Sequence, residues 1–319
     1  MRCPSLSELP DPPDGLTGWP WTAEGARAPD SMQAGASWPL ISIVTPSYNQ
    51  GEYLEATLRS ILLQGYPNLE YIVMDGGSTD GSLAIIRKYE PWLAHWESGP
   101  DGGQYAAVQK GFERSSGQIM AWLNSDDMYF PWALHRAGEL FSAFPGVRWI
   151  TTAMPCQIVD EEDLFTFQQL PGYSKRAFFS QNFTHRTPFI PQEGCFWRKD
   201  LWDETGARFE AALNSAGDLE LWARFWQKTD LFTVNLPLGM FRYHAGQKTS
   251  LMNIYIQEAR SVLKNYRRPF PFPQILLCML AYGLKRFNKD RNWFGVGARR
   301  LYFSIKERHW DSEITYRTF

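Results

Sequence analysis

Polar side chains that suit a phosphorylated ligand follow three apolar segments of the chain, at Thr45–Asn49, Asp75–Asp80 and Asn124–Asp127. The third of these contains two adjacent carboxylates, Asp126 and Asp127. Mg²⁺ and Mn²⁺ prefer carboxylate oxygens and keep coordination positions open for phosphate oxygens. The pair therefore predicts a site where a divalent cation holds a nucleoside diphosphate, although adjacent aspartates can also serve only to cap a following helix.

The apolar segments before these polar ends resemble buried strands. Leu40–Thr45 is rich in β-branched residues and stops at Pro46, and residues 52–64 carry one apolar face at helical spacing. Strands alternating with helices of this length predict right-handed crossovers and a mostly parallel sheet, whose ligands bind outside the carboxyl ends of the strands. Further strands are predicted near 69–74, 92–97, 118–123, 149–152, 194–198 and 231–235, and helices at 104–114 and 218–227.

Motifs of other nucleotide-binding classes are absent from the sequence. No G-x-G-x-x-G follows the first strand and no G-x-x-x-x-G-K-[ST] occurs, which disfavours dinucleotide cofactors and P-loop hydrolysis. A sugar-1-phosphate nucleotidyltransferase would need a glycine-rich loop with basic residues where Pro46–Gln50 stands. That activity, and a non-catalytic nucleotide-sugar-binding module, are the alternatives to a transferase.

Charge and cysteine content bear on the compartment and the partners. The chain has 32 Lys and Arg against 34 Asp and Glu, but Arg260–Arg308 alone holds twelve basic residues and two acids. Four scattered cysteines form no zinc or disulfide pattern, and the N-terminus lacks the apolar core of a secretory signal. Ile275–Leu284, the longest apolar run, is too short to span a bilayer. We expect a cytoplasmic protein that uses divalent cations and binds no nucleic acid.

Three parts are predicted along the chain. Residues 1–38 should be a loosely ordered extension, because they combine many Pro and Gly with no periodicity. Residues 39–250 should form the catalytic domain, and residues 251–319 a basic, aromatic, helical extension. Basic groups among aromatic ones suit a peripheral contact with anionic lipid on the cytoplasmic face, or packing against a partner subunit. The 14 Trp residues suit a core or an interface more than a sugar-stacking surface.

Four segments resemble the family 2 glycosyltransferases with the GT-A fold. They are Ile43–Asn49, Tyr71–Gly81, Ile119–Asp127 and Ala216–Trp222, in the family's order, and the resemblance covers roughly residues 40–245. It implies a GT-A-type, Rossmann-like α/β fold with a mixed, mainly parallel sheet flanked by helices. It also implies an inverting enzyme of the hexosyltransferase type. Such an enzyme moves a sugar from a nucleoside-diphosphate donor, with a UDP-sugar favoured, to a glycan or lipid-linked acceptor in cell-surface polysaccharide synthesis.

The resemblance also implies a role for individual residues. Asp218 matches the catalytic base, which would remove the acceptor's proton, although a carboxylate there can also simply stabilise a helix start. Glu220 is the second choice for the base. Asp75 could alternatively serve only to form a turn. Asn124 stands where many members of the family have Asp. The other implied residues are Thr45, Pro46, Tyr48, Asp75 and Asp126 for the donor nucleotide; Asp101, Gln192 and Glu193 for the donor sugar or acceptor; and Asp126, Asp127 and His244 for Mn²⁺ or Mg²⁺.

Overall fold

The structure is a computed structural model of the chain. It describes residues 1–32, 35–159, 164–167, 172–180, 189–244, 247, 252–266, 297–304 and 309–316.

Four parallel strands form the first half of the main sheet, in the order β4-β1-β2-β3. Every residue of β1 is buried, as expected for a central strand covered on both faces by helices. The register sets Ser47 beside Asp75 and Asp75 beside Ser98, so the carboxyl ends of three strands lie in one row. The elements of this half are β1 (Ile41–Ser47), α1 (Leu54–Leu62), β2 (Leu69–Asp75), α2 (Ser82–Tyr89), β3 (His95–Ser98), α3 (Gln104–Arg114) and β4 (Ile119–Trp122).

The second half of the chain extends this sheet and adds a smaller one. The main sheet has nine described strands, in the order β13-β12-β10-β6-β9-β4-β1-β2-β3, and the small sheet has the order β5-β11-β7-β8. Because β9 pairs antiparallel with both β4 and β6, the main sheet is mixed but mainly parallel, which confirms the predicted fold class. Its elements are β5 (Met128–Tyr129), α4 (Ala133–Ala143), β6 (Trp149–Thr152), β7 (Cys156–Val159), β8 (Leu164–Phe167), α5 (Lys175–Phe179), β9 (Phe196–Arg198), α6 (Lys199–Glu204), α7 (Gly217–Lys228), β10 (Phe232–Val234) and β11 (Gly239–Tyr243).

Tryptophans account for much of the core between the main sheet and α7. Trp222 stacks on Trp122 at 5.7 Å and on Trp149 at 5.1 Å between ring centroids, and Trp197 meets Trp222 edge-on. All four rings are buried. These tryptophans therefore pack in the core and fix α7, whose first turn carries Asp218, against the sheet.

The N-terminal extension is not loosely ordered, which corrects that prediction. Arg59 of α1 is fully buried and donates to the carbonyl oxygens of Pro10, Pro20 and Trp21 at 2.7–3.0 Å. The Cys3 N–H donates to the Tyr66 carbonyl at 2.9 Å. A guanidinium has five donors in a fixed geometry and can bind irregular backbone without any helix or strand. Periodicity could not reveal this order, because the arrangement is not periodic.

The C-terminal extension is helical only in part. Helix α8 (Met252–Tyr266) agrees with the prediction, but β12 (Gly297–Ser304) and β13 (His309–Tyr316) form an antiparallel pair, and β12 joins β10 in parallel. The edge of β10 would otherwise present unpaired N–H and C=O groups, which a further strand satisfies. Most of the basic, aromatic segment, residues 267–296, lies outside the described residues, as does the predicted lipid contact there. Within the described ranges, no helix is both long enough and apolar enough to cross a membrane.

Candidate active site

Asp75 organises the loop at the end of β2. It is 2% exposed, and its carboxylate accepts from the N–H groups of Gly77 at 3.1 Å and Ser78 at 2.9 Å. The hydroxyl of Ser78 at 2.5 Å and that of Ser98 at 2.6 Å donate as well. Four donors hold the side chain and fix the loop, so turn formation accounts for its present contacts. Its predicted contact with the nucleoside stays a prediction.

Tyr48 and Asp101 come together around Gly76. A Cβ on Gly76 would lie 3.1 Å from Asp101 Oδ2 and 3.2 Å from Tyr48 Cδ2, so a larger residue would require both side chains to shift by a few tenths of an ångström. Tyr48 is 62% exposed, and Asp101 Oδ1 accepts from the Gly103 N–H at 2.7 Å. An exposed aromatic ring beside a carboxylate can stack on a planar ring and accept from its N–H or hydroxyl groups.

Two residues predicted to line the same pocket are instead buried in β1. Thr45 Oγ1 lies 3.0 Å from the Tyr71 hydroxyl inside the core, and Pro46 is buried beside it. Neither side chain is exposed in this structure, and their contact with the nucleoside stays a prediction. The strand was predicted to stop at Pro46 but continues to Ser47, and because both faces of β1 are buried, the first exposed side chains after it are Tyr48 and Asn49.

Asp126 and Asp127 have different surroundings although they are adjacent. Asp127 is 1% exposed, and its carboxylate accepts from the Arg242 N–H at 3.0 Å and from Asn124 Nδ2 at 3.2 Å. Burial raises its pKa, and the charges of Asp126 and Glu193 raise it further. Asp126 is partly exposed, and its Oδ2 lies 3.1 Å from His244 Nε2. Of the three predicted metal residues, Asp126 and His244 thus form a pair. Asp127 is buried, and its carboxylate is bound by donors from the protein.

Arg242 and Tyr53 complete the surroundings of this pair. Arg242 Nε donates to the Asp126 carbonyl oxygen at 3.1 Å, and its guanidinium lies 5.2 Å from the centre of the Tyr53 ring. The Tyr53 ring lies 4.5 Å from that of His244. We did not predict either residue from the sequence. Arg242 could have been found as the cation two positions before His244, whereas nothing local distinguishes Tyr53.

The pair can contribute to a cation site but cannot complete one. No group of three His, Cys, Asp or Glu residues suited to a metal occurs in the part of the chain that the structure describes. Mg²⁺ and Mn²⁺ commonly bind one or two protein ligands, with substrate phosphates and water filling the other positions. One carboxylate and one imidazole therefore fit a cation that arrives with a diphosphate.

Asn124 connects Gln104 on α3 with Gln192 before β9 through its amide. Its Oδ1 accepts from Gln104 Nε2 at 2.6 Å, and its Nδ2 donates to Gln192 Oε1 at 3.3 Å as well as to Asp127. Gln192 in turn donates to the Trp122 carbonyl at 2.7 Å. A carboxylate at position 124 would have no proton to donate to Asp127 or Gln192, which accounts physically for an amide here.

Asp218 lies in the first turn of α7 beside Tyr105. Its Oδ1 accepts from the Leu219 N–H at 2.7 Å and is 3.4 Å from the Tyr105 hydroxyl. A Cβ on Gly217 would lie 2.8 Å from the Tyr105 ring, so glycine is required for this approach. Asp218 is half-buried, and burial raises its pKa to about 6. A carboxylate with that pKa can accept a proton and release it near neutral pH.

Glu193 is close enough to both Asp218 and Asp127 for electrostatic interaction with each. It is buried, and burial together with the charge of Asp218 raises its pKa to about 7. Its backbone meets Gly239, where a Cβ would lie 2.3 Å from the Glu193 carbonyl oxygen. The charge of Glu193 also raises the pKa of Asp127. The structure thus brings predicted residues from both halves of the domain to one rim.

Glu220, the second choice for the base, is engaged elsewhere. Both its oxygens accept from Arg224 Nε at 3.0 Å, and the Tyr266 hydroxyl donates to Oε1 at 3.2 Å. It therefore ties α7 to α8. Near Asp218, the sequence reasoning missed Tyr105 and Tyr255. Tyr105 directly follows the Asp101–Gln104 segment and could have been included with it.

Comparisons with known proteins agree on one kind of enzyme. The glycosyl transferase family 2 model matches residues 42–147. An uncharacterized glycosyltransferase of Mycobacterium tuberculosis is 39% identical over 29% of this chain and 36% of its own length. TuaG of Bacillus subtilis, a putative teichuronic acid biosynthesis glycosyltransferase, is 38% identical over 28% of this chain and 37% of its own. The aligned region thus spans little more than a third of either relative.

A solved structure shares the fold. The crystal structure of S. aureus TarS 1-349 in complex with UDP-GlcNAc superposes with a TM-score of 0.53 at 18% identity, over 66% of this chain and 60% of TarS 1-349. At this identity the likeness concerns the fold alone, and that fold is of the GT-A type.

Proposed function

We propose that the chain is a family 2 glycosyltransferase that transfers a sugar, with inversion, from a nucleoside-diphosphate donor to an acceptor hydroxyl. One observation carries the proposal. Asp218, whose pKa burial raises to about 6, lies 3.4 Å from the Tyr105 hydroxyl, and the neighbouring Gln104 donates to Asn124 after β4 at 2.6 Å. The electrostatic influence of Asp218 on Glu193, and of Glu193 on Asp127, connects the two sides. A base beside a diphosphate-binding rim is the arrangement that a single inverting displacement needs.

In the proposed reaction, Asp218 takes the proton of the acceptor hydroxyl as that oxygen attacks the anomeric carbon. The new glycosidic C–O bond forms as the bond from that carbon to the diphosphate oxygen breaks, and the nucleoside diphosphate leaves with the electron pair. General-base help of this kind contributes about 10²–10⁴ in rate. Tyr105, 3.4 Å from the carboxylate, orients it toward the acceptor.

The proposed donor site uses the loops around Asp75. The exposed Tyr48 ring and the Asp101 carboxylate would contact the base, ribose or sugar, and the four donors to Asp75 hold that loop in place. UDP-GlcNAc is the ligand of the TarS structure with the same fold, so a UDP-sugar is the favoured donor. The name of TuaG supports an acceptor in cell-surface polysaccharide synthesis, either a glycan or a lipid-linked precursor.

We propose that Asp126 and His244 hold a divalent cation, Mn²⁺ or Mg²⁺, together with the donor's diphosphate. When bound, such an ion neutralises negative charge on the leaving diphosphate. Asp127 would support the site indirectly, because its oxygens already accept from the Arg242 N–H and the Asn124 amide. Arg242, whose Nε binds the Asp126 carbonyl, adds fixed positive charge beside it.

A thermal-shift panel tests the donor class. UDP-, GDP- and dTDP-sugars are compared with and without Mn²⁺, because a ligand that binds only the folded state raises the unfolding temperature according to its affinity. We expect the largest shift from a UDP-sugar with Mn²⁺, and a smaller one from the same sugar with EDTA. Equal shifts from all nucleotides, or none, would contradict the proposed donor site. Sugar transfer is then measured with the donor that binds.

A further inference from the structure

The loop that leads into α7 is held from α8 by one carboxylate. Glu258 Oε1 accepts from the Asn214 N–H at 3.1 Å, and its Oε2 accepts from the N–H groups of Ser215 and Ala216, both at 2.8 Å. Hydrogen bonds to an ionised acceptor are about twice as strong as neutral ones. Three successive backbone groups, ending two residues before Asp218, are therefore fixed to a helix that begins 34 residues later in the chain.

The same loop is held on its other side by α3. The Tyr105 hydroxyl donates to the Ser215 carbonyl at 2.8 Å, and its ring packs against Gly217 so closely that a Cβ there would clash. Loop 214–217 thus lies between an aromatic ring and a carboxylate from two different helices. With its N–H groups bound on one side and a carbonyl on the other, the loop has little freedom to shift.

We propose that Glu258 is a positioning residue for the base, holding loop 214–216 so that the Asp218 carboxylate faces the acceptor hydroxyl. The proposal rests on the proposed function and deepens it. It assigns a role in the reaction to α8, which lies outside the region that matches the family model. Displacing a reacting group by about 1 Å can lower the rate about a hundredfold, so a clamp at this distance from Asp218 is sufficient to control turnover.

The titratable groups that face Asp218 come from three directions. They are Tyr105 on α3, Tyr255 and Glu258 on α8, and Glu193 before β9. Burial is the main cause of the raised pKa of Asp218, and the charge of Glu258 adds to it. Removing that charge should therefore lower the pKa of Asp218, whereas a purely structural support would leave the pH dependence of the rate unchanged.

Two variants of Glu258 separate its charge from its hydrogen bonds. Glu258→Ala loses both, while Glu258→Gln loses the charge and keeps one acceptor oxygen for the paired Ser215 and Ala216 N–H groups. We expect kcat to fall about tenfold to a hundredfold in Glu258→Ala and to recover largely in Glu258→Gln, with the donor KM unchanged in both. The acid limb of the pH–rate profile should move to lower pH in both variants. Gln257→Ala, an exposed neighbour on α8, is the matched control and should match the wild type.

Amide hydrogen exchange gives a readout that does not depend on turnover. Residues 214–216 should exchange faster in Glu258→Ala than in the wild type, and less so in Glu258→Gln. If Asp218→Asn is inactive while Glu258→Ala keeps wild-type kcat and pH profile, the positioning role is wrong and the proposed function stands. If Asp218→Asn turns over like the wild type, the proposed function itself fails. Equal losses in both Glu258 variants with an unshifted acid limb would also overturn the positioning role.

Discussion

The proposed donor side of the site, with Asp75 and Asp80, and the proposed acceptor side, with Glu193 and Asp218, hold their carboxylates in opposite ways. Asp75, on the donor side, is almost fully buried yet receives four hydrogen bonds. Burial acts to raise the pKa of Asp80, but hydrogen bonds from Ser82 and Gly51 lower it overall. On the acceptor side, burial raises the pKa of Asp218 to about 6 and that of Glu193 to about 7. Hydrogen bonds thus lower the pKa of Asp80 on one side, whereas burial raises the pKa of two carboxylates on the other, which can therefore gain or lose a proton near neutral pH.

The difference follows from where the N–H groups are. Turns after parallel strands present several free N–H groups, and a carboxylate that accepts two or three of them is stabilised as the anion. Asp218 accepts from the Leu219 N–H and from a distant Tyr105 hydroxyl, and Glu193 lies in the interior near two other carboxylates. The same chemical group therefore suits binding in one place and proton transfer in the other.

The largest expected effect comes from removing the proposed base. Asp218→Asn keeps the size of the side chain but cannot take a proton, so turnover should fall by about two to four decades while donor binding is retained. Activity is measured with saturating donor and acceptor, and binding by thermal shift. Glu210→Gln, an exposed change in the preceding loop, is the control. Near-normal turnover in Asp218→Asn would remove Asp218 as the base.

Asp126 and Asp127 are adjacent but differently surrounded, so substitutions at the two positions should affect Mn²⁺-dependent donor binding differently. Asp126→Asn should weaken Mn²⁺-dependent donor binding by about 10–100-fold, a loss typical of a disturbed metal site. Asp127→Asn should keep the response to Mn²⁺, because its buried oxygens face the Arg242 N–H and Asn124 rather than the rim. Donor affinity is titrated with and without the cation. A loss of Mn²⁺ response in Asp127→Asn alone would reverse the assignment.

The pH dependence of turnover should reflect the acceptor side. A base works only when deprotonated, so the rate should rise with pH through about 6, the pKa of Asp218, and level off above it. At pH 5 the rate should be about a tenth of the plateau, since one pH unit below a pKa leaves about a tenth of the carboxylate ionised. The profile of kcat/KM tests this. A rate independent of pH between 5 and 7 would contradict a titrating base.

Substitutions of Asp75 and Glu193 should change the free energy of unfolding in opposite directions. These are the smallest of the expected effects. Asp75→Asn loses charge-assisted hydrogen bonds and should lower the free energy of unfolding by about 2 kcal/mol. Glu193→Gln should raise it at pH 8 by on the order of 1–3 kcal/mol, because the wild type then holds a desolvated charge.

The sign for Glu193 follows from its raised pKa. Its protonated form is favoured in the folded state, so the wild type should gain stability as the pH falls from 8 through 7 toward 4.5, and Glu193→Gln should lack that gain. Thermal unfolding across this range measures both variants. Destabilisation by both changes at pH 8 would mean that the two sides do not differ in this way.

Residue types and their near-neighbour spacing were enough to predict several local features of the chain. Local pattern was enough to predict the β-branched strand β1, the polar residues after three strands, and Asp218 at the start of a helix. These features depend on residue type and on the two-residue period of strands or the 3.6-residue period of helices, which involve only near neighbours in the chain. Local pattern could not distinguish Asp126 from Asp127. Asp126 contacts His244 and Asp127 accepts from the Arg242 N–H, and both partners lie more than 110 residues later in the chain.

The remaining features depend on contacts between segments that are far apart in the chain. Arg59 orders an N-terminal segment that has no periodicity, β12 and β13 extend the sheet from a region predicted to be helical, and Glu258 reaches back to the loop before Asp218. In each case a backbone group is satisfied by a partner far along the chain. Such pairing depends on where the fold brings the two segments together, and neither segment alone carries a signal for it.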